Sequence, residues 1–243
     1  MVELAGPSMA ALVHAIPETE RRAGRPITVI GGLAVICRVA SPHRATSDLD
    51  TVHRRCGDEP SQLEVLVAST GRASGPAGVL IPTPEGEVQV DVLEVSDADF
   101  DPLPEDPTGR LHVLSHSWAA ETASPLRLRA RGSAAVTVAV AEPGSLIAMK
   151  LQSAFDRGAR KEATDLLDIV RLSTDRACGA TARSQLAAAA QVLRRDATQH
   201  LDLFFEQRVA RTARLIREIP EGRDAALDDL VLVHELLSEA LRS

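Results

Sequence analysis

The 243-residue sequence contains no tyrosine, and aromatic residues make up only 2% of it. Modules that bind single-stranded nucleic acid usually stack several bases on exposed aromatic rings. The shortage of rings argues against a module of that kind. The formal net charge is −7, so binding to a nucleic acid would need a local patch of arginines rather than a basic surface as a whole.

Lysine is also scarce. Lysine and arginine together number 27, yet the only lysines are Lys150 and Lys161. Arginine is therefore the default cation of this chain, which singles out Lys150 within the otherwise apolar run LIAMKL. A compact ammonium group is a good ligand for phosphate, although pairing with an acid on a neighbouring helix would also explain a lysine at this position.

Cysteines are few, and long hydrophobic runs are absent. The three cysteines form no C-x-x-C pair, which suits a reducing compartment. No run approaches the roughly 20 apolar residues that a membrane-spanning helix needs, and the first residues lack the basic start of a signal peptide. We therefore expect a cytoplasmic protein with no membrane partner.

Hydrophobic periodicity divides the chain near Glu142. Residues 1–142 mix strand and helix patterns, whereas residues 143–243 show long helical patterns with breaks near Gly158, Gly179 and Pro220. The front half is predicted to contain helices at 8–22, 33–39 and 60–69, strands at 26–30 and 48–52, a loop at 97–109, and hairpins at 78–95 and 126–140. These patterns predict an α+β domain over 1–142 and a helical domain over 143–243.

Gly31 and Gly32 stand where a short apolar strand gives way to a predicted helix. Glycines at such a point let a phosphate approach the backbone N–H groups at the positive end of the helix. Simple turn chemistry between a strand and a helix is the alternative explanation.

Asp48, Asp50 and Asp91 are the candidate metal ligands. Side chains alternate along a strand, so Asp48 and Asp50 share one face while Leu49 points into the core. Asp91 lies opposite the valines of its own strand and would join the other two acids if the strands are neighbours. Grouped carboxylates repel one another unless a cation lies between them, and their hard oxygens suit magnesium, Mg²⁺. Capping or solvated positions at strand ends are the alternative.

The spacing GG-x14-SDLD, followed by a single aspartate on a strand, resembles nucleotidyltransferases of the polymerase-beta type. The resemblance becomes more specific further along the chain. There the segment LIAMKL, which contains Lys150, is followed by Arg157 and then by the acid pair Asp165 and Asp168. Residues 27 to 172 together resemble the AbiEii/MenT-type nucleotidyltransferase toxins. The resemblance implies a nucleotidyltransferase-type mixed sheet with flanking helices, followed by a C-terminal helical bundle that contributes a lysine and an acid to the active site.

The resemblance also implies roles for individual residues. Gly31 and Gly32, with Ser47 and Arg44 nearby, would bind the triphosphate of the nucleotide, and pairing with Asp48 is the alternative for Arg44. The acids Asp48, Asp50 and Asp91 would hold Mg²⁺, and one of them would act as a base. Lys150 and Asp165 would contact the nucleotide. Asp165 or Asp168 would fill the last acidic position, for which Glu162 is an alternative.

The implied reaction moves a nucleoside monophosphate from a nucleoside triphosphate (NTP) to an acceptor hydroxyl. For this family the resemblance implies a toxin of a type IV-like toxin–antitoxin pair, acting on the 3′ end of tRNA, with an antitoxin protein as partner. The alternatives are transfer to a small molecule or protein, and a non-catalytic module that binds nucleotides. Arginines at 211, 214 and 217 would suit RNA phosphates, or they form a solvated charged face.

Overall fold

A computed structural model describes residues 1–41, 44–70, 72–130, 133–156 and 159–243, with the side chains of 156, 159 and 160 left out. The described chain forms two compact units. The first, which we call the sheet unit, comprises residues 1–37, the described parts of 44–102, and the described parts of 116–141. The second, the helical unit, comprises the described parts of 38–43, 103–115 and 142–243. The division at residue 142 stays a prediction.

A mixed sheet of eight strands organises the described part of the sheet unit. The strands are β1 (Val2–Leu4), β2 (Thr28–Val29), β3 (Asp48–Arg55), β4 (Ala73–Ser74), β5 (Gly78–Thr83), β6 (Gly86–Ser96), β7 (Ser124–Ala130) and β8 (Val136–Val140). Their order across the sheet is β1-β7-β8-β2-β3-β6-β5-β4. The central strands β3 and β6 run parallel, with Asp50 opposite Asp91.

Helices α1 (Pro7–Ala23), α2 (Gly31–Arg38) and α3 (Gln62–Thr70) accompany this sheet. Helix α1 starts with a proline in its first turn and ends at Gly24, whose φ of 66° is left-handed, a common way to end a helix. Its Leu12 and Ile16 are fully buried, as is Leu49 of β3. The core of the sheet unit therefore forms from one face of α1 and the inward side chains of the strands.

The other described helices belong to the helical unit, except the second part of α4, which lies in the sheet unit. They are the first part of α4 (Pro107–Thr122), α5 (Pro143–Asp156), α6 (Ala159–Thr174), α7 (Gly179–Ala187), α8 (Gln191–Asp202), α9 (Val209–Glu218) and α10 (Leu227–Arg242). Phe204 and Phe205, in a π-helical turn after α8, are its largest fully buried side chains. Among the described helices, none combines the length and the apolar character needed to cross a bilayer.

The predicted α+β class is confirmed, and both predicted hairpins are present as β5–β6 and β7–β8. Strand β2 is shorter than predicted and β3 is longer. The hairpin-turn residues Arg131 and Gly132 and the predicted break at Gly158 lie outside the described residues.

The predicted loop over 97–109 ends too late, because α4 already begins at Pro107. Residues 97–109 are acidic and rich in proline, which is typical of a loop, but the pair Asp106-Pro107 starts this helix. Asp106 accepts a hydrogen bond from the backbone N–H of Gly109 at 2.7 Å, as a residue that caps a helix does, and proline is favoured directly after such a cap.

Candidate active site

Asp48, Asp50 and Asp91 meet on the sheet unit. The first two lie at alternate positions of β3, and the parallel pairing of β3 with β6 places Asp91 directly opposite Asp50. One carboxylate oxygen from each residue lies within 4.8 Å of the other two. All three side chains are half-buried, whereas Leu49 between the first two is fully buried. The strand pattern thus produces the convergence expected from the sequence.

Gly31 lies against the Asp50 carboxylate. Its φ is +64°, in the left-handed region, and a Cβ atom added there would come within 1.8 Å of Asp50 Oδ2. The backbone N–H of Ile30 also donates to the Asp50 carbonyl at 2.9 Å. The start of α2 therefore touches one acid of the cluster, and only glycine leaves room for that contact.

Gly32 faces the Arg44 side chain. A Cβ atom on Gly32 would lie 2.8 and 2.9 Å from the two terminal guanidinium nitrogens of Arg44. The positively charged guanidinium of Arg44 therefore lies beside the first turn of α2, close to the backbone N–H groups to which an anion could bind. Ser47 is exposed immediately before Asp48.

Two further residues orient the acids, and the sequence did not single them out. Thr46 Oγ1 donates to Asp48 Oδ1 at 2.6 Å, and Gln89 Nε2 donates to Asp91 Oδ1 at 2.8 Å. Gln89 precedes Asp91 by two positions, so strand alternation alone was a signal for it. Both donors use Oδ1, so they orient these carboxylates without using Oδ2.

The donor set of this cluster fits a hard divalent cation. Its donors are all carboxylate oxygens, the ligands that Mg²⁺ prefers. Three carboxylates this close together repel one another in the absence of a cation. The cluster therefore has the charge and the donor type of a magnesium site.

In the helical unit, Lys150 lies between two acids. Its Nζ is 2.5 Å from Asp165 Oδ1 and 2.9 Å from Asp168 Oδ2, and Lys150 is only 7% exposed. Ser153 Oγ, one turn further along α5, donates to Asp165 Oδ2 at 2.9 Å. This is the pairing across two helices that the sequence left open as the structural explanation for Lys150.

Glu162 accepts hydrogen bonds from Arg211 of α9, the second at 2.9 Å between Nη2 and Oε2. Hydrogen bonding to Glu162 raises the pKa of Arg211. Asp165 and Asp168 are thus the acids paired with Lys150, and Glu162 is engaged elsewhere. Arg211 is therefore paired with an acid. Arg214 and Arg217, the other two arginines considered for RNA phosphates, are exposed. Arg157 lies outside the described residues.

Comparison with protein families gives a match to the family described as nucleotidyl transferase AbiEii toxin, type IV toxin–antitoxin system. The match covers residues 20–242, so it includes the acid cluster and Gly31 as well as Lys150. Comparison with curated proteins gives no match. Because the family match spans most of the chain, this protein belongs to the AbiEii family of nucleotidyltransferase toxins.

Proposed function

We propose that this protein transfers a nucleoside monophosphate from an NTP to an acceptor hydroxyl, with Mg²⁺ held by Asp48, Asp50 and Asp91. The observation that carries the proposal is the convergence of these three carboxylates on neighbouring parallel strands, with Gly31 in contact with Asp50. Family membership supplies the class of reaction, nucleotidyl transfer.

When bound, Mg²⁺ would neutralise charge on the phosphates and make the acceptor hydroxyl easier to deprotonate. Thr46 and Gln89 hold Asp48 and Asp91 in fixed orientations, so these carboxylates need little rearrangement to bind a cation. Orientation by neighbouring groups of this kind commonly changes metal affinity or activity about 10- to 100-fold.

The start of α2 is the proposed cradle for the triphosphate. Gly31 and Gly32 contribute the first backbone N–H groups of α2, and the Arg44 guanidinium lies beside Gly32. Backbone donors, the positive helix end and an arginine all favour phosphate oxygens. Exposed Ser47 is a further donor on the same loop.

The proposed transfer forms one bond and breaks one. The acceptor oxygen bonds to the α-phosphorus, the bond between that phosphorus and the oxygen bridging to the β-phosphate breaks, and pyrophosphate leaves. One of the three aspartates takes the proton of the acceptor hydroxyl, as a general base does.

Lys150, Asp165 and Asp168 are proposed as further nucleotide-contacting residues on the strength of the family resemblance. Their geometry supports a more limited statement. The Lys150 ammonium is paired with both carboxylates, so it would have to leave at least one of them to bind phosphate.

The biological setting that we propose is a cytoplasmic toxin that modifies the 3′ end of tRNA and is neutralised by an antitoxin protein. The toxin–antitoxin description of the family supports the antitoxin partner. The low aromatic content favours an acceptor RNA that is recognised through phosphates and shape rather than by base stacking.

The acceptor is tested by incubating the purified protein and Mg²⁺ with each of the four α-³²P-labelled NTPs. Total tRNA, total protein and a small-molecule extract, all prepared from one batch of bacterial cells, are added as acceptors in separate reactions. We expect label in tRNA, removable by a 3′ exonuclease, with wild type and with the exposed-site control Asp58→Asn, but not with Asp48→Asn. Label in protein or small molecules would replace the tRNA assignment. Silence of wild type with every NTP and acceptor would contradict the enzymatic proposal.

A further inference from the structure

A second cluster of metal-ligand side chains lies in the helical unit, between the end of α8 and the middle of α10. Asp202 is the last residue of α8, Glu206 lies in the π-helical turn Leu203–Gln207, and His234 belongs to α10. One potential ligand atom from each lies within 4.8 Å of the other two. His234 Nε2 is 2.8 Å from Asp202 Oδ1. We call these three residues the α8–α10 cluster.

The backbone beneath this cluster is fixed by the core. The π-helical turn is closed by a hydrogen bond from the Arg208 N–H to the Leu203 carbonyl at 3.1 Å. Phe204 and Phe205 within it are each 1% exposed, whereas Glu206 is exposed. Buried rings thus anchor the turn, while Glu206 is exposed and Asp202 is half-buried. Single π-helical turns are rare and occur frequently at functional sites.

The donors differ in kind from those of the acid cluster on the sheet. An imidazole nitrogen combined with carboxylate oxygens suits Zn²⁺ and related transition ions, whereas three carboxylates suit Mg²⁺. In a tetrahedral zinc site with bonds of about 2.0–2.1 Å, neighbouring ligand atoms are about 3.3–3.4 Å apart. The 2.8 Å His234–Asp202 pair would have to open by only about half an ångström.

The surroundings also favour a cation. An open groove of about 540 Å³ runs beside His234, and Glu235 and Glu239 are among its lining residues, together with Arg242. Acidic side chains that line a groove raise the local concentration of cations. Because His234 is about 17% exposed and Asp202 about 30% exposed, water can reach the remaining coordination positions.

From the donor set, the geometry and the local charge, we infer that the α8–α10 cluster binds a divalent transition-metal ion of the Zn²⁺ type and thereby links α8 to α10. His234 supplies nitrogen, Asp202 and Glu206 supply oxygen, and water completes the coordination. The site is separate from the residues proposed for nucleotidyl transfer. Its presence or absence therefore leaves that proposal unaffected.

The test is a Zn²⁺ titration by calorimetry in excess Mg²⁺, which occupies the all-carboxylate cluster. We expect wild type to bind one Zn²⁺ ion that His234→Ala, Asp202→Asn and Glu206→Gln each bind at least tenfold more weakly. Glu206 is exposed, so its substitution leaves the fold intact. The matched control is His14→Ala, because His14 is a half-buried histidine that pairs with Glu85 at 2.7 Å but belongs to neither three-ligand group found in the described residues.

Cobalt absorption gives a second readout. Wild type with Co²⁺ should show visible bands that disappear in His234→Ala and persist in His14→Ala. Zinc binding that is equal in wild type, His234→Ala and Glu206→Gln would overturn the inference, as would equal losses in His234→Ala and His14→Ala. Either result would mean that His234 and Asp202 form only an ion pair between helices and that the cluster is not a metal site.

Discussion

At the scale of single residues, Gly31 lacks a side chain for two separate reasons. Its φ of +64° is unfavourable for residues that have a Cβ atom. A Cβ atom would also overlap Asp50 Oδ2 at 1.8 Å. Gly24 shares only the first property, since its φ is +66° and nothing lies within 4 Å of an added Cβ atom. Substitutions at the two glycines therefore distinguish the effect of backbone strain alone from the added effect of displacing Asp50.

We predict that Gly24→Ala lowers the free energy of unfolding by about 1 kcal/mol and leaves nucleotidyl transfer unchanged. Gly31→Ala should cost at least as much stability and also slow transfer by about 100-fold or more, because Asp50 must move. Thermal unfolding and initial rates measure the two effects. Equal transfer rates in both variants would show that the contact between Gly31 and Asp50 is not needed.

The three cysteines should differ sharply in reactivity. Burial, followed by the effect of Asp175, raises the pKa of the Cys178 thiol to about 12. At pH 8 a thiol with that pKa is about one ten-thousandth thiolate, the reactive form. Cys37 is buried as well, and Cys56 is exposed.

We therefore predict that a thiol-disulfide reagent at pH 8 modifies one thiol rapidly in the native protein and all three in denaturant. Peptide mapping should place the rapid modification at Cys56. Modification of native Cys178 as fast as that of Cys56 would contradict the burial of Cys178, which is only 4% exposed.

At the scale of secondary-structure elements, a buried ion pair connects α4 to α8. The Asp196 carboxylate is fully buried and accepts hydrogen bonds from Arg110 at 2.6 and 2.9 Å. Arg195 also lies 3.1 Å from it, but its side chain is 56% exposed. Removing a buried partner leaves an uncompensated charge, whereas removing an exposed one costs little.

Arg110→Ala should accordingly lower the free energy of unfolding substantially, because the fully buried Asp196 carboxylate loses its two hydrogen bonds from Arg110. Arg195→Ala, the control on the same carboxylate, should lower it by less than about 1 kcal/mol. Urea unfolding followed by circular dichroism gives both values. Similar costs for the two substitutions would mean that Asp196 is solvated rather than buried.

Strand periodicity predicted much of the acid cluster. Alternation put Asp48 and Asp50 on one face and Asp91 opposite the buried valines, and the register of β3 with β6 then brought them together. That register was not predictable, because it depends on which strands become neighbours in the sheet. The role of Thr46 was not predictable either, because its hydrogen bond to Asp48 depends on the conformation of the loop before β3.

Helix α4 and Lys150 show two further features that the sequence alone could not determine. The sequence DPTG suits both a loop and a capped helix start, and only packing of the following residues decides between them. The rarity of lysine drew attention to Lys150, which the structure places in a buried position. Composition could not say whether its partner is a phosphate or a carboxylate, because both attract the same ammonium group.

At the scale of the whole molecule, the family match covers both compact units, from residue 20 to residue 242. Membership in the family therefore applies to the sheet unit with its acid cluster and to the helical unit with Lys150. The net charge of −7 includes the three aspartates of the cluster, whose mutual repulsion a divalent cation would relieve. The central claim is that this cluster holds the metal used in nucleotidyl transfer.

That claim is tested most directly by the Mg²⁺ dependence of label transfer from α-³²P-labelled NTPs, compared between wild type, Asp50→Asn and the exposed-site control Asp58→Asn. We predict that transfer by wild type and Asp58→Asn rises with Mg²⁺ and stops when EDTA is added. Transfer by Asp50→Asn should be lower by about a thousandfold, because one metal ligand is lost. Transfer by Asp50→Asn at the wild-type rate, or transfer by wild type that continues in EDTA, would contradict the role proposed for the cluster.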